Sequence, residues 1–134
     1  MAESIKHLNL VKQIKEYIIK KYEIEESLIK IDIIGDGTNI LPTGYKPDMY
    51  YEYNNQVIIG EAKTSLDVDR EHSINQYKSF MKYCESNGEN SVFILNTPWM
   101  DTIGVCRIIK KIKKENNYNF KIIILNDLGK ERNI

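Results

Sequence analysis

Asp48, Glu61 and Lys63 are the residues whose types and spacing could do chemistry in this chain. Asp48 follows Pro47 and opens the run PDMYYEY. Glu61 and Lys63 close the run QVIIGEAK, and Asn54-Asn55 stands between the two runs. Two strand-like runs joined by two asparagines predict a tight hairpin, because Asn tolerates the left-handed backbone that such turns need. With Asn54 and Asn55 as the turn, Tyr53 pairs with Gln56. Counting outward then sets Glu52 opposite Val57, Tyr50 opposite Ile59 and Asp48 opposite Glu61. Directly opposed residues share a face, with Cβ atoms about 4.5–5.5 Å apart. Strand alternation puts Lys63 on the face of Glu61 and Ala62 on the other.

Two carboxylates opposed across a ladder repel each other. A divalent cation removes the repulsion. Magnesium takes oxygen ligands and is often held by one or two carboxylates together with substrate phosphate and water. A lysine beside the pair can position a hydroxide nucleophile or neutralise a pentavalent phosphate, so the set suits metal-assisted phosphodiester hydrolysis. The spacing alone fits a surface hairpin with solvated charges equally well.

The elements that must position these residues follow from periodicity. Over residues 4–21, Ile5, Leu8, Val11, Ile14, Ile18 and Tyr22 recur at three- and four-residue steps and predict a helix. LIKIDIIG (28–35) predicts a strand, and residues 36–46, with Gly37, Pro42 and Gly44, a loop. After the hairpin, Ile74, Tyr77, Phe80, Met81 and Cys84 form the apolar stripe of a helix over 69–87, with Asp67 or Asp69 as its cap. SVFILN (91–96) reads as a buried strand. Thr97-Pro98 starts a helix that runs to about Glu115, with Thr as cap and Pro in first position, and FKIIIL (120–125) closes as the last strand. The order α-β-β-β-α-β-α-β implies an α/β domain over residues 1–134, with a mixed sheet covered by helices on both faces.

At Pro47-Asp48, a gap of twelve, and Glu61-Ala62-Lys63, the sequence resembles the PD-(D/E)xK nuclease superfamily, the fold of restriction endonucleases and Holliday junction resolvases. The αβββαβ order of that core matches over about residues 4–96. The resemblance implies a restriction endonuclease-like core with an additional C-terminal helix and strand. It also implies Mg2+, with Mn2+ as a substitute, held by Asp48, Glu61 and the Ala62 carbonyl, while Lys63 assists the attacking water. Many members add an acidic residue on the first helix. Here Glu3 and His7 are the better candidates, since His7 lies on the apolar stripe, Glu3 at its edge, and Glu16 well away from it. His7 is either a ligand or a helix histidine packed at the sheet edge. Some relatives carry a Gln, and a Tyr four residues later, on the second core helix. This chain has Gln76 but Phe80 in the place of that Tyr. Gln76 is either a catalytic neighbour of Lys63 or a plain polar helix residue, and His72 reads as a surface residue.

Charge and composition bound the rest. The chain has 134 residues, 42% hydrophobic, and zero formal net charge, as expected of one globular domain. Five lysines oppose two glutamates over residues 1–22, and eight basic residues oppose four acidic ones over 101–134, which leaves the centre acidic. That layout suits a cation site between phosphate-attracting surfaces, or ordinary solvated helix faces. Thr43, Tyr45 and Lys46 in the loop before Asp48 are the candidate nucleic-acid contacts. Arg107, Lys110, Lys111, Lys113 and Lys114 spread around their helix and read as a solubilising face. Cys84 and Cys106 lack metal-ligand spacing and read as reduced, packed thiols. No apolar run is long enough for a membrane span and no signal-peptide layout is present, so a cytoplasmic protein is expected.

Together these features predict a Mg2+-dependent endonuclease, more a DNA than an RNA enzyme, acting as a homodimer. The alternative is a catalytically weak or inactive binding or assembly subunit of the same fold that binds nucleic acid or a protein partner.

Overall fold

The structure, a computed structural model, describes residues 4–32 and 37–134. Helix α1 (Ile5–Tyr22) begins where the Ser4 side chain accepts a hydrogen bond from the His7 amide at 3.1 Å, satisfying one of the unpaired amides of the first turn. It ends at Glu23, which takes a left-handed conformation (φ 53°), with Lys20 and Lys21 in the last turn beside the negative end of the helix dipole. Strand β1 (Ile29–Ile31) follows a single 3-10 turn, Glu26–Leu28. It is shorter than the strand expected over 28–35, because Leu28 belongs to that turn and residues 33–36 lie outside the described residues.

Strands β2 (Met49–Tyr53) and β3 (Gln56–Ala62) form the expected hairpin. Asn54 and Asn55 both have positive φ, 49° and 65°, as a type I′ turn requires. The register is Tyr53 to Gln56, Glu52 to Val57, Tyr50 to Ile59 and Met49 to Gly60. Helix α2 (Glu71–Ser86), strand β4 (Val92–Thr97), helix α3 (Thr102–Asn116) and strand β5 (Lys121–Asn126) complete two parallel crossovers. Strand β6 (Glu131–Asn133) then turns back antiparallel to β5. The result is an α/β fold with one six-stranded mixed sheet in the order β1-β2-β3-β4-β5-β6.

Three local expectations are corrected. Neither Asp67 nor Asp69 caps α2: Arg70 holds the cap position with no side-chain hydrogen bond, and the chain over 64–70 winds through turns instead. Thr97-Pro98 does not start α3. Thr97 is held in the sheet by pairing with Asn126, Pro98 is extended (ψ 145°), and a 3-10 turn, Trp99–Asp101, precedes the helix. Strand β6 went unpredicted because its residues are all exposed and carry no apolar alternation. It is fastened to α1 by Glu131, which accepts from Tyr17 Oη at 2.6 Å and from Lys21 Nζ at 2.8 Å.

The core has two layers. On one face of the sheet, Leu10, Val11, Ile14 and Ile18 of α1 pack on Met49, Tyr51, Ile58, Ile94 and Ile123. On the other, Tyr77, Phe80, Met81, Val105 and Ile109 of α2 and α3 pack on Val57, Ile59, Phe93, Leu95 and Ile122. Cys84 and Cys106 are free and buried in this second layer. Burial of its thiol pushes the Cys84 pKa up. Gly60 sets how closely α1 approaches: a Cβ there would lie 2.9 Å from Ile14 Cγ2 and 3.1 Å from Met49 Cβ. Among the described residues no helix is long and apolar enough to cross a membrane.

Candidate functional site

The hairpin ends where the two parallel crossovers begin, and its last residues converge. Asp48 lies one residue before β2, where its carbonyl accepts from the Asp32 amide at 2.8 Å. The preceding carbonyl, of Pro47, accepts from the Thr38 hydroxyl at 2.6 Å. Across the ladder, Asp48 and Glu61 grip each other's strand. The Asp48 amide donates to Glu61 Oε1 at 3.2 Å, and the Ala62 amide donates to Asp48 Oδ2 at 2.9 Å. Both residues are buried, Glu61 to 2% residual exposure.

Burial of two carboxyl groups side by side has an electrostatic consequence. Desolvation, first, and the Asp48 charge, second, push the Glu61 pKa well above the usual carboxylate range, against the pull of Lys63. Lys63 Nζ lies 3.3 Å from Glu61 Oε2 and also donates to Gln76 Oε1 on α2. The Lys63 amide donates to the Asn96 carbonyl on β4 at 3.0 Å, continuing the strand pairing one residue past β3. The lysine is thus held from its backbone and from its ammonium.

Helix α1 adds a fifth side chain. His7 Nε2 is 3.1 Å from Asp48 Oδ2, the oxygen that also accepts from Ala62. Glu3, the other first-helix candidate, lies outside the described residues. Glu16 is exposed, as its position on the helix implied. Asn96, buried on β4, donates to the Leu10 carbonyl at 2.9 Å and to Gln13 Oε1 at 3.1 Å, and so fixes α1 over the strand ends. Nothing in the spacing signals Asn96, since it lies far from Lys63 in sequence and reaches it only through the β3–β4 pairing.

Thr43 and Tyr45 of the loop meet α2 rather than the carboxylates. The Thr43 hydroxyl accepts from Ser79 Oγ of α2 at 2.8 Å, and the Tyr45 ring meets His72 edge-on at 5.6 Å. Lys46 is half-buried. The loop is a compact turn, with the Leu41 amide bonded to the Tyr45 carbonyl and the Gly44 amide to the Leu41 carbonyl, both at 2.9 Å. On α3, Arg107, Lys110, Lys111 and Lys114 are exposed, while Lys113 donates to the Ile134 carbonyl at 2.9 Å.

Among the described residues no set of three or more His, Cys, Asp and Glu side chains converges as a metal cage. The donor set is two carboxylates. Their chemistry fits a hard divalent cation that keeps open positions for water and phosphate oxygens. The burial of Asp48 and Glu61 against each other is the observation behind that fit, because a cation would let both groups carry charge together. Comparison of the chain with protein-family models, curated proteins and solved structures returned no match. What the site can do therefore follows from its own geometry.

Proposed function

We propose that the chain is a metal-dependent nuclease of the PD-(D/E)xK kind, hydrolysing phosphodiester bonds of DNA. The observation that carries this reading is the convergence of Asp48, Glu61 and Lys63 at one end of the β2–β3 hairpin, with the Glu61 carboxyl buried against both of the others. The αβββαβ order over the first part of the chain supports a restriction endonuclease-like core. Asp48 and Glu61 are the side chains that would hold Mg2+ or Mn2+, with the Ala62 carbonyl as a further ligand. A cation bound there supplies charge neutralisation at the phosphate and a water of lowered pKa.

The protein's own groups have distinct roles on this reading. Asp48 is oriented by the Ala62 amide and by His7, both on Oδ2. The Lys63 ammonium, held by Gln76 and Glu61, faces the place where charge develops on the phosphate. Gln76 positions Lys63. Thr43, Tyr45 and Lys46 are the loop's candidate backbone contacts on this reading, with the Thr43 hydroxyl bonded to Ser79 and the Tyr45 ring against His72. A domain of this size cuts both strands as a homodimer or acts on a substrate of special structure.

The test is cleavage of supercoiled, linear, single-stranded and branched DNA, and of RNA, with Mg2+ or Mn2+. Wild type is compared with Asp48→Ala and Lys63→Ala. Metal-dependent cleavage lost in both variants supports the reading. No cleavage of any substrate, together with no Mn2+ binding by calorimetry, overturns it in favour of a binding or assembly subunit.

A further inference from the structure

Beyond the carboxylates, the carboxyl ends of β3, β4 and β5 border a second concavity. It is a cleft of about 660 Å3 between α1 and the segments that follow those strands. Its volume lies within the roughly 300–1,000 Å3 of small-ligand sites. It adjoins the carboxylate site through the chain itself: Lys6 of its lining precedes His7, and Thr64 follows Lys63.

Trp99 gives the cleft its character. The residue is 56% exposed, although large aromatic side chains are normally buried. The backbone beneath it is firmly held. The Trp99 amide donates to Asp127 Oδ1 at 2.9 Å, the Asp127 amide to the Thr97 carbonyl at 3.1 Å, and Gln13 Nε2 to the Asp127 carbonyl at 3.0 Å. On the other side, Ser65 Oγ donates to Asp101 Oδ2 at 2.6 Å and ties the loop after β3 to the turn that carries Trp99. An exposed ring on a fixed backbone is a preorganised stacking surface, since little further ordering remains when a flat ligand settles on it. Lys6 adds a cation to the same lining, and Asn9 adds an amide.

We infer, on the nuclease reading above, that this cleft receives an unpaired nucleobase of the substrate strand, stacked on Trp99, with an adjoining phosphate near Lys6. The lining is chiefly apolar, with Leu66, Pro98 and Met100 beside the indole; its one acid, Asp127, accepts from the Trp99 amide, and Lys6 is its one cation, an arrangement that matches a base and its phosphate. A second copy of the chain docked here would instead bury Lys6 and Asn9 away from water. A base inside a duplex cannot reach such a ring, so the substrate class has unpaired nucleotides beside the cut: a single strand, a flap or a branch.

Trp99 is the only tryptophan of the chain, so its fluorescence reports on the cleft alone. The full-length protein, in EDTA to prevent cutting, is titrated with short single-stranded oligodeoxynucleotides, with the same length of duplex, and with a single strand made of abasic sites. Saturable quenching by the base-bearing single strand, and little by the other two, is expected. By anisotropy of a labelled strand, Trp99→Ala weakens binding about tenfold or more, while Trp99→Phe retains most of it. Circular dichroism confirms that both variants fold. Single-strand binding without quenching, or with equal affinity in Trp99→Ala, overturns the inference. So does a Trp99→Ala variant whose only change is a shift from dimer to monomer in sedimentation, which would assign the indole to a second copy. Quenching without any Mg2+-dependent cleavage keeps the nucleobase cleft and removes the nuclease. Cleavage that needs Asp48 but is indifferent to both Trp99 variants does the reverse. Failure to bind any oligonucleotide in EDTA overturns the nucleobase cleft, and together with no metal-dependent cleavage it overturns both.

Discussion

His7 on α1 and Asp48 before β2 meet at 3.1 Å, on the same carboxylate oxygen that accepts from the Ala62 amide. This contact joins the first helix to the hairpin and puts two partners on one Asp48 oxygen. An outer partner of a ligating carboxylate typically contributes about 10–100-fold in metal affinity or activity. His7→Ala is therefore expected to weaken Mn2+ binding by about that factor with little change in melting temperature. Isothermal titration calorimetry checks this, and unchanged Mn2+ affinity would show that His7 only packs at the sheet edge.

Lys63 and Gln76 make a separable pair. Removing the ammonium in Lys63→Ala is expected to lower kcat by about 10²–10³, the scale of one lost charge-stabilising donor. Gln76→Ala leaves the charge in place but frees it, so a smaller loss in kcat is expected with KM unchanged. Mn2+ affinity should hold in Gln76→Ala. Steady-state kinetics on the cleaved substrate decide the matter, and a Gln76→Ala enzyme with wild-type kcat would remove its positioning role.

Glu61 gives the metal-free protein a pH dependence of definite sign. Its carboxyl is held well above the usual range by burial and by Asp48, so the folded chain keeps a proton that the unfolded chain releases. Stability must then fall as pH rises above the ordinary glutamate value of about 4.3, through the window up to the raised folded value. In EDTA, the melting temperature is expected to drop between mildly acidic and neutral pH. Glu61→Gln should flatten that slope, and Mg2+ should restore the wild type at neutral pH. Parallel pH profiles of wild type and Glu61→Gln in EDTA would contradict it.

Gly60 is the steric hinge between α1 and the hairpin. The methyl group of Gly60→Ala would fall 2.9 Å from Ile14 Cγ2 and 3.1 Å from Met49 Cβ, so α1 must shift outward. Overpacking of this kind typically costs about 1–3 kcal/mol. Urea denaturation should show a loss in that range. The shift also moves His7 relative to Asp48, so activity should fall further than stability alone explains.

Much of the site was legible because it is local. Asn54-Asn55 suggests a tight turn, and a two-residue turn sets the register, which holds from Tyr53–Gln56 to Met49–Gly60, so the opposition of Asp48 and Glu61 follows by counting one residue further. The helix stripes likewise named Val11, Ile14 and Ile18 of one core layer and Tyr77, Phe80, Met81 and Cys84 of the other, since burial repeats with the helical period, but Ile5 of the first stripe is exposed and Leu10, off that stripe, is buried. The polar strand β6 was not legible, because three exposed residues carry no period. The start of α3 was misplaced because a Thr-Pro pair has the composition of a helix start while sheet pairing holds Thr97 extended.

The sequence by itself determined the hairpin, its register and the pairing of two acids with a lysine on one face. Only the tertiary structure decided what surrounds them. His7 reaches Asp48 because α1 crosses the sheet at the angle that Gly60 and Asn96 permit. Gln76 reaches Lys63 because α2 packs on the opposite face. The cleft under Trp99 exists because three strand ends and one helix come together there. Each depends on contacts between segments far apart in the chain, and neither periodicity nor turn chemistry carries information about partners at that separation.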